Sequence, residues 1–191
     1  MIKDSGNRRE FNSGAVRDIV DGKGRCDLLP LDIVAKCMKD AIIEYLASFA
    51  ENGEINTIEV AVWQFCTCHF DGIESGMLEV AKHFEEGAKK YGDRNWEKGI
   101  PTHCYFDSAL RHYLKWRRGD KDEPHDRAFV WNLMCMLWTI KHRQECIDFP
   151  LCMVEQTTTA NIDEKNIALG VIAADLADTL KKRKEIREDQ V

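Results

Sequence analysis

The sequence has no run of about 18 consecutive apolar residues, the length that a bilayer-spanning helix requires. Its first ten residues, MIKDSGNRRE, are too polar and charged to resemble a signal peptide, so none is expected. An excess of positive charge is missing too. The formal net charge of −6 disfavours non-specific binding to DNA or to an anionic membrane. We therefore expect a soluble, cytoplasmic protein that binds neither nucleic acid nor membrane.

Paired metal-binding cysteines are also absent. Cys66-Thr67-Cys68-His69 lacks the two-residue gap of a zinc motif, and no second pair follows at zinc-finger spacing. Without a secretory signal, we expect the 8 cysteines to be reduced thiols. The turn Gly22-Lys23-Gly24-Arg25 is not a Walker A loop, because neither Lys-Ser nor Lys-Thr follows its second glycine. These absences exclude a disulfide scaffold and a P-loop enzyme.

A strand pattern is found only in residues 151–159, as a short strand or irregular segment, and no internal repeat is visible. Residues 1–13 are expected to be flexible. Helical periodicity, proline starts and glycine stops predict an all-α fold in a single domain spanning 1–191. The predicted helices cover residues 31–50, 57–68, 77–90, 101–117, 124–143 and 163–188.

The predicted helix 77–90 is amphipathic and ends at Gly92, where glycine favours a left-handed cap. Four residues at helical spacing are expected to face the core: Leu78, Ala81, Phe84 and Ala88. Glu79, His83 and Glu86 share another face. That face is either a site for a divalent cation beside a polyanion or a solvated surface with ordinary Glu–Lys pairs.

Two further helices carry polar residues of interest. The helix 124–143 is apolar on most sides and is expected to be central to the core, with Asn132 as a core amide or a site residue. Arg111 follows Asp107 by four residues, so it is either a phosphate ligand or half of a structural ion pair. The segment from Gly22 to Arg25 is either a phosphate-binding turn or a mobile surface turn. In the first case its backbone N–H groups and its two cations would converge on a phosphate.

Three sequence blocks occur in a fixed order. The first contains Gly14-Ala15-Val16-Arg17-Asp18, Gly22-Lys23-Gly24-Arg25 and Asp27-Leu28-Leu29-Pro30. The second contains Phe84-Glu85-Glu86-Gly87-Ala88, Lys90-Tyr91-Gly92 and Asn95-Trp96. The third contains Asp107-Ser108-Ala109-Leu110-Arg111-His112, then Asp122-Glu123 with His125 and Asn132. Together they resemble the phage dATP/dGTP diphosphohydrolase family, which includes the MazG-like enzyme of phages that replace adenine with 2-aminoadenine. The resemblance covers about 11–38 and 77–141. Relative to typical members of the family, residues 39–76 look like a helical insertion and residues 144–191 like a C-terminal extension. Residues 11–30 would form an N-terminal arm before the helical bundle.

The resemblance implies a MazG-like helical bundle that hydrolyses dGTP or dATP to the monophosphate and pyrophosphate in phage nucleotide metabolism. It also implies a homodimer or homotetramer in the host cytoplasm, with Mg²⁺ or Mn²⁺ held by carboxylates on two helices. The family pattern has Glu-x-x-Glu on one helix and Glu-x-x-Asp on the next. Glu123-Pro124-His125-Asp126 fits the second element, whereas His83 stands three residues before Glu86 in the first.

By this resemblance the predicted metal ligands are Glu85, Glu86, Glu123 and Asp126, of which Glu85 and Asp126 are also the predicted catalytic residues. Glu79 and Asp107 are reserve ligands. The predicted substrate-binding residues are Arg17, Lys23, Arg25, Lys90, Tyr91, Asn95, Trp96, Arg111, His112 and Asn132. The cations would bind the phosphates, Tyr91 or Trp96 would stack on the base, and Asn95 or Asn132 would read its edge.

Other interpretations stay open at this point. Glu123 and Asp126 also suit a helix start electrostatically, and Trp96 also suits core packing. A different enzyme would centre on His125-Asp126 with His83 or His112 as a further ligand, as in HD-type phosphohydrolases, and would release triphosphate or phosphate. A third possibility is a nucleotide-binding protein that sequesters its ligand without turnover.

Overall fold

The computed structural model describes residues 6–19 and 22–154. A short hairpin of β1 (Arg8–Glu10) and β2 (Val16–Asp18) precedes six helices. These are α1 (Leu31–Met38), α2 (Ala41–Asn52), α3 (Ile55–His69), α4 (Ile73–Tyr91), α5 (Thr102–Arg118) and α6 (His125–His142). The all-α class is confirmed. None of the helices in this part of the chain combines the length and hydropathy that a membrane span needs.

The chain divides into two units, Met1–Met153 and Val154–Val191. All six helices belong to the first unit. The helix predicted for 163–188 lies outside the described residues, so the single-domain organisation stays a prediction. All eight cysteines lie within the described ranges and are free thiols, as expected.

Helix α6 is central to the core, as its apolar sequence predicts. Its most extensive partner is α5, and it also contacts α3 and α4. The ring of Phe129 on α6 lies 4.9 Å from the ring of Phe65 on α3 and 5.0 Å from that of Tyr113 on α5. These buried aromatic contacts join three helices at one point, where edge-to-face and tilted rings pack efficiently.

The stretch 31–50 forms two helices, so the prediction of one continuous helix is wrong. Lys39 adopts a left-handed conformation with φ of 52°, and Asp40 starts α2 as its N-cap. The Asp40 carboxylate accepts hydrogen bonds from the Ile42 and Ile43 amides, at 3.0 and 3.3 Å. It also accepts one from the Tyr113 hydroxyl. A capping carboxylate that is held by a core tyrosine outweighs continuation of the apolar stripe.

Helix α4 buries only part of the face that was predicted, since Phe84 packs against the core but Leu78 and Ala81 do not. Val80 and His83 are buried, whereas Leu78 is 70% exposed. The apolar residues of this helix are too sparse to fix its rotation. Contacts with α3 and α6 select the face of Val80 and His83 instead. The expectation that Leu78 and Ala81 face the core is therefore wrong.

The N-terminal hairpin was not predicted. Arg9 pairs with Arg17 in an antiparallel register, and Glu10 pairs with Val16. Strands of three residues, most of them charged, have no alternating apolar signal to detect. The strand suggested for 151–159 is also wrong where it can be checked, because residues 151–154 are helical.

Gly76 sets the closeness of α3 and α4, and substituting it tests this packing. A Cβ at Gly76 would lie 2.7 Å from the Cys66 Sγ and 3.2 Å from the Phe70 ring. We expect Gly76→Ala to lower the free energy of unfolding by about 1–3 kcal/mol, because overpacking displaces neighbouring side chains. Thermal and denaturant unfolding measure this effect.

The control is Gly87→Ala on the same helix, where no heavy atom lies within 4 Å of the added Cβ. There alanine should stabilise by about 0.5–1 kcal/mol through helix propensity. Equal effects at the two positions would contradict close packing at Gly76.

Candidate functional site

A cavity of about 630 Å³ opens between the hairpin and the helical bundle. Its lining comes from both strands of the hairpin, the turn at Gly22, the second half of α4, the loop after α4, α5, the turn before α6 and the first half of α6. Pockets of this volume accept ligands of nucleotide size. The cavity is therefore the candidate functional site.

Strand β2 is held against the bundle by side chains from the last residues of α4 and from the loop after it. The Asn95 amide accepts a hydrogen bond from the Val16 amide at 3.0 Å and donates one to the Val16 carbonyl at 2.9 Å. Asp18 accepts hydrogen bonds from Lys90 Nζ at 2.7 Å and the Tyr91 hydroxyl at 2.8 Å. Burial opposes the charge of Lys90, but its hydrogen bonds with Asp18 and with Tyr91 outweigh burial and raise the pKa of Lys90. Through this anchoring, β2 presents Arg17 to the cavity.

Arg17 is a cation without a carboxylate partner among the described residues. Its Nη2 donates to Asn132 Oδ1 at 2.8 Å and to Ser108 Oγ at 3.2 Å. The guanidinium lies 5.0 Å from the centre of the Tyr105 ring. Its buried Nη1 has no hydrogen-bond partner in the described part of the chain. A cation held by neutral groups in a cavity wall attracts an anionic ligand.

Two further cations come from the turn and from α5. Arg111 donates to Asp107 Oδ2 at 2.7 and 2.6 Å, and the other Asp107 oxygen accepts from the Cys26 amide at 2.7 Å. This arrangement ties the chain after the turn to α5. Partial burial lowers the pKa of Lys23, while nearby Asp18 and Glu123 act in the opposite direction. Lys23 and Arg111 thus share the cavity with Arg17.

Aromatic rings form another part of the lining. The Phe84 ring lies 5.5 Å from the ring of Trp96 and 5.8 Å from that of Trp131. Trp96 also packs against Trp138, with ring centres 4.9 Å apart. Trp96 is therefore both a packed side chain and a surface of the cavity, and such a surface suits a heterocyclic base.

A histidine–carboxylate group lies where α5 and α6 approach the cavity. Nδ1 of His112 lies 2.9 Å from Nδ1 of His125, and Glu123 Oε1 lies 3.8 and 3.6 Å from these two atoms. We call these residues the His112–Glu123–His125 group. The pKa of His112 lies well below its ordinary value because of burial and the adjacent His125. The three ligand atoms are close enough to hold one metal ion.

The four carboxylates predicted as metal ligands are not brought together. Glu85 is exposed and pairs with Lys89, Glu86 lies 2.8 Å from Arg127, and Asp126 lies 3.0 Å from His69. Only Glu123 lines the cavity. The reason for Glu85 is helical phase, since it follows the inward His83 by two residues, a rotation of about 200°. The catalytic roles of Glu85 and Asp126 stay predictions.

Most predicted substrate-binding residues do line the cavity. They are Arg17, Lys23, Tyr91, Asn95, Trp96, Arg111, His112 and Asn132. Arg25 does not, because it pairs with Asp27 at the surface. Lys90 is absent from the lining, and the Asn95 and Asn132 amides are already engaged in hydrogen bonds with neighbouring protein groups.

Some residues of the site were missed or misplaced by the sequence analysis. His83 was placed on a polar face but is buried, and its Nδ1 has no partner in the described ranges. Trp131 lies in the helix that was expected to be central to the core and was not among the predicted site residues, although it lines the cavity. For Asp122, beside Glu123, the acidic turn before α6 was the available signal.

The HD-type alternative receives mixed support. His125 contacts His112, as that reading requires, but its other nitrogen lies 2.7 Å from Asp122 Oδ1. Asp126 is directed to His69 on α3. The side chains of His125 and Asp126 therefore contact different partners and do not converge on one site.

The fold and the cavity define an all-α protein with one pocket that combines cationic and aromatic side chains. Residues 69–148, which include α4, α5 and α6, match the family model described as dATP/dGTP diphosphohydrolase, N-terminal. The match over this part of the chain confirms the resemblance found in the sequence. No curated protein and no solved structure matches the chain.

The two neutral histidines of the cavity predict a pH dependence of stability. Burial, followed by the charge of Arg127, lowers the pKa of His83 to about 4 from 6.5. Between these pH values the unfolded chain binds a proton that the folded chain does not. The stabilisation is complete above pH 6.5, and up to about 3 kcal/mol is lost as pH falls towards 4. His112 acts in the same direction.

Melting temperatures between pH 7 and pH 4.5 test this expectation. We expect His83→Gln to show a smaller decrease than the wild type, because glutamine does not titrate. His142→Gln, at an exposed position on α6, is the matched control. An unchanged pH profile for His83→Gln would contradict a buried neutral histidine.

Proposed function

We propose that the chain hydrolyses purine deoxynucleoside triphosphates, dGTP or dATP, to the monophosphate and pyrophosphate with Mg²⁺ or Mn²⁺. The observation that carries the proposal is one nucleotide-sized cavity lined by Arg17, Lys23, Arg111 and aromatic rings. The family match of residues 69–148 supports the reaction class. A phage setting and action in the host cytoplasm are part of the same proposal.

The lining suits each part of this substrate. The guanidinium groups of Arg17 and Arg111 offer fork-shaped donors to phosphate oxygens, and Lys23 adds a point charge. Phe84 and Trp96 offer flat apolar surfaces to a purine. With the base against the rings and the phosphates against the cations, the scissile bond would lie near Glu123 and His112.

The residues in the lining also fit a divalent cation. The carboxylate of Glu123 and the imidazole of His112 are donors that Mn²⁺ accepts, and Mg²⁺ accepts the carboxylate. When bound, such a cation neutralises the polyphosphate and makes water a stronger nucleophile.

Water attacks the α-phosphorus, the bond from that phosphorus to the bridging oxygen breaks, and pyrophosphate leaves. We infer that a Glu123 carboxylate oxygen accepts the proton of the attacking water. Arg111 and Lys23 stabilise the charge that develops on the leaving pyrophosphate.

Glu123→Gln tests the site of the reaction. It keeps the size of the side chain but removes the charge, so turnover of dGTP with Mn²⁺ should fall by at least 100-fold, as for loss of a general base. Glu59→Gln, on the exposed surface of α3, has the same charge change and should keep wild-type turnover.

Product analysis in the same assay separates the alternatives. Pyrophosphate supports the proposal. Triphosphate would support the histidine-centred enzyme, and binding without turnover would support a sequestering protein.

A second test compares the two cations of the Gly22–Arg25 turn. Lys23 lines the cavity, whereas Arg25 forms a surface ion pair with Asp27. We expect Lys23→Ala to raise the KM for dGTP about tenfold, since a charge-assisted contact contributes about 1.5–3 kcal/mol. Arg25→Ala should have the smaller effect. Equal effects would mean that the whole turn closes over the nucleotide, and no effect of Lys23→Ala would contradict its role.

We further propose that the chain assembles as a homodimer or homotetramer. Apolar side chains at the surface support this, including Trp63, which is 59% exposed on α3, and Ile33, which is 49% exposed on α1. Closed symmetric assembly would cover such positions. Light scattering should give a multiple of the 22.0 kDa chain mass. A single species of 22.0 kDa at micromolar concentration would contradict the assembly.

A further inference from the structure

The His112–Glu123–His125 group differs from the predicted metal ligands, which were four carboxylates and included only Glu123 of this group. Two of its members, His112 and Glu123, line the cavity, and the His125 side chain is only 1% exposed. Two imidazole nitrogens face each other at 2.9 Å, with a carboxylate oxygen within 3.8 Å of both. We propose that this group is a binding site for one first-row transition-metal ion, with higher affinity for Co²⁺, Zn²⁺ or Mn²⁺ than for Mg²⁺.

The distances between the ligand atoms agree with a single ion. Two ligands at about 2.1 Å from one metal lie roughly 3.0 Å apart when adjacent and roughly 4.2 Å apart when opposite. The three observed separations, 2.9, 3.6 and 3.8 Å, are close to or within this range. An ion between them requires only small side-chain movements.

Asp122 fixes the ring of His125 in the orientation that a metal ligand needs. Its Oδ1 lies 2.7 Å from Nε2 of His125, which makes Nε2 the protonated nitrogen. Nδ1 of His125 then has its lone pair directed towards His112 and Glu123. A carboxylate behind a ligating histidine is the usual arrangement in metal sites. Asp122 is therefore a positioning residue.

A competing group shares His125 but is less suitable. Asp120, Asp122 and His125 also place ligand atoms within 4.8 Å of one another. However, Asp120 is neutralised by Arg118, at 2.8 and 2.5 Å, and Asp122 is the partner of His125 Nε2. Because His125 uses Nδ1 towards the cavity, the His112–Glu123–His125 group is the site we propose.

The ligand chemistry determines which ions should bind. Imidazole nitrogen is a borderline ligand that favours transition metals, whereas Mg²⁺ prefers oxygen. Two nitrogens and one oxygen thus differ from a set made only of carboxylates. This inference deepens the proposed function by naming ligands, but metal binding at the group does not depend on nucleotide turnover.

Co²⁺ binding tests the site without using activity. Visible absorption of Co²⁺ reports nitrogen ligation, and calorimetry gives the number of ions and the Kd. We expect the wild type to bind one Co²⁺ at this site. Its melting temperature should be higher with Co²⁺ than with the same concentration of Mg²⁺. His112→Asn and Glu123→Gln should each weaken Co²⁺ binding at least tenfold. Asp122→Asn should weaken it about 10- to 100-fold without changing the number of ions.

His142→Asn is the matched control, because it removes an exposed histidine from the same helix as His125. It should leave the Co²⁺ spectrum and Kd unchanged. Circular dichroism verifies that each variant is folded, and Glu123→Gln, which removes no ring, answers the question if His112→Asn does not fold.

Two results overturn the inference. One is a wild type that does not bind Co²⁺, and the other is unchanged Co²⁺ binding in both folded variants. In either case the group is a hydrogen-bonded cluster only. Turnover of dGTP with Mg²⁺ is measured separately. If dGTP is hydrolysed but Co²⁺ does not bind, the proposed metal site is wrong and the proposed function stands. If Co²⁺ binds but dGTP is not hydrolysed, only the proposed function is wrong.

Discussion

The buried ion pair between Asp107 and Arg111 is the interaction on which the geometry of the cavity depends most. Asp107 is 3% exposed and accepts both guanidinium contacts on one oxygen, while its other oxygen accepts the Cys26 amide. A carboxylate this deeply buried is tolerable only when it is fully paired. The pair therefore connects α5 to the chain that follows the Gly22–Arg25 turn, and it fixes Arg111 at the cavity. Arg111 serves the structure and is placed to serve the ligand as well.

The cavity concentrates positive charge in a chain whose net charge is −6. Arg17 is held by the neutral groups of Ser108 and Asn132, so its charge is not cancelled by a neighbouring carboxylate in the described residues. Lys23 and Arg111 add to this field. The acidic side chains Asp122 and Glu123 lie in the same lining, together with histidines. Cations for an anion and ligands for a metal thus occur in one cavity, as hydrolysis of a polyphosphate requires.

Local signals in the sequence were sufficient for the helices but not for their rotation. Gly53, Gly92 and Gly119 directly follow α2, α4 and α5, and each has a positive φ that other residues resist. Gly53 and Gly119 adopt the left-handed conformation, whereas the left-handed cap predicted for Gly92 is wrong, because its φ is 88° and its ψ is 156°. The inward face of α4 could not be predicted, since burying His83 rather than Leu78 depends on packing against other helices. The same rotation of α4, which places His83 inward, directs Glu85 to the surface and away from the cavity.

Cavity-lining residues that lie in the three sequence blocks were easier to predict than contacts between residues far apart in the sequence. Arg17, Lys23 and Arg111 lie in the blocks that carry the family resemblance, and all three line the cavity. The contact between His112 and His125 was not predicted as a shared metal group with Glu123. It arises from the antiparallel approach of α5 and α6, and sequence spacing does not reveal this approach.

The central claim is that the cavity binds the nucleotide, and a crystal structure with a non-hydrolysable dGTP analogue tests it most directly. The analogue has a methylene group in place of the oxygen between the α- and β-phosphorus atoms. We expect its phosphates to contact Arg17, Lys23 and Arg111, and its base to lie against Phe84 and Trp96. An analogue bound instead on the outer surface beside Glu85 or Asp126, with the cavity empty, would contradict the account.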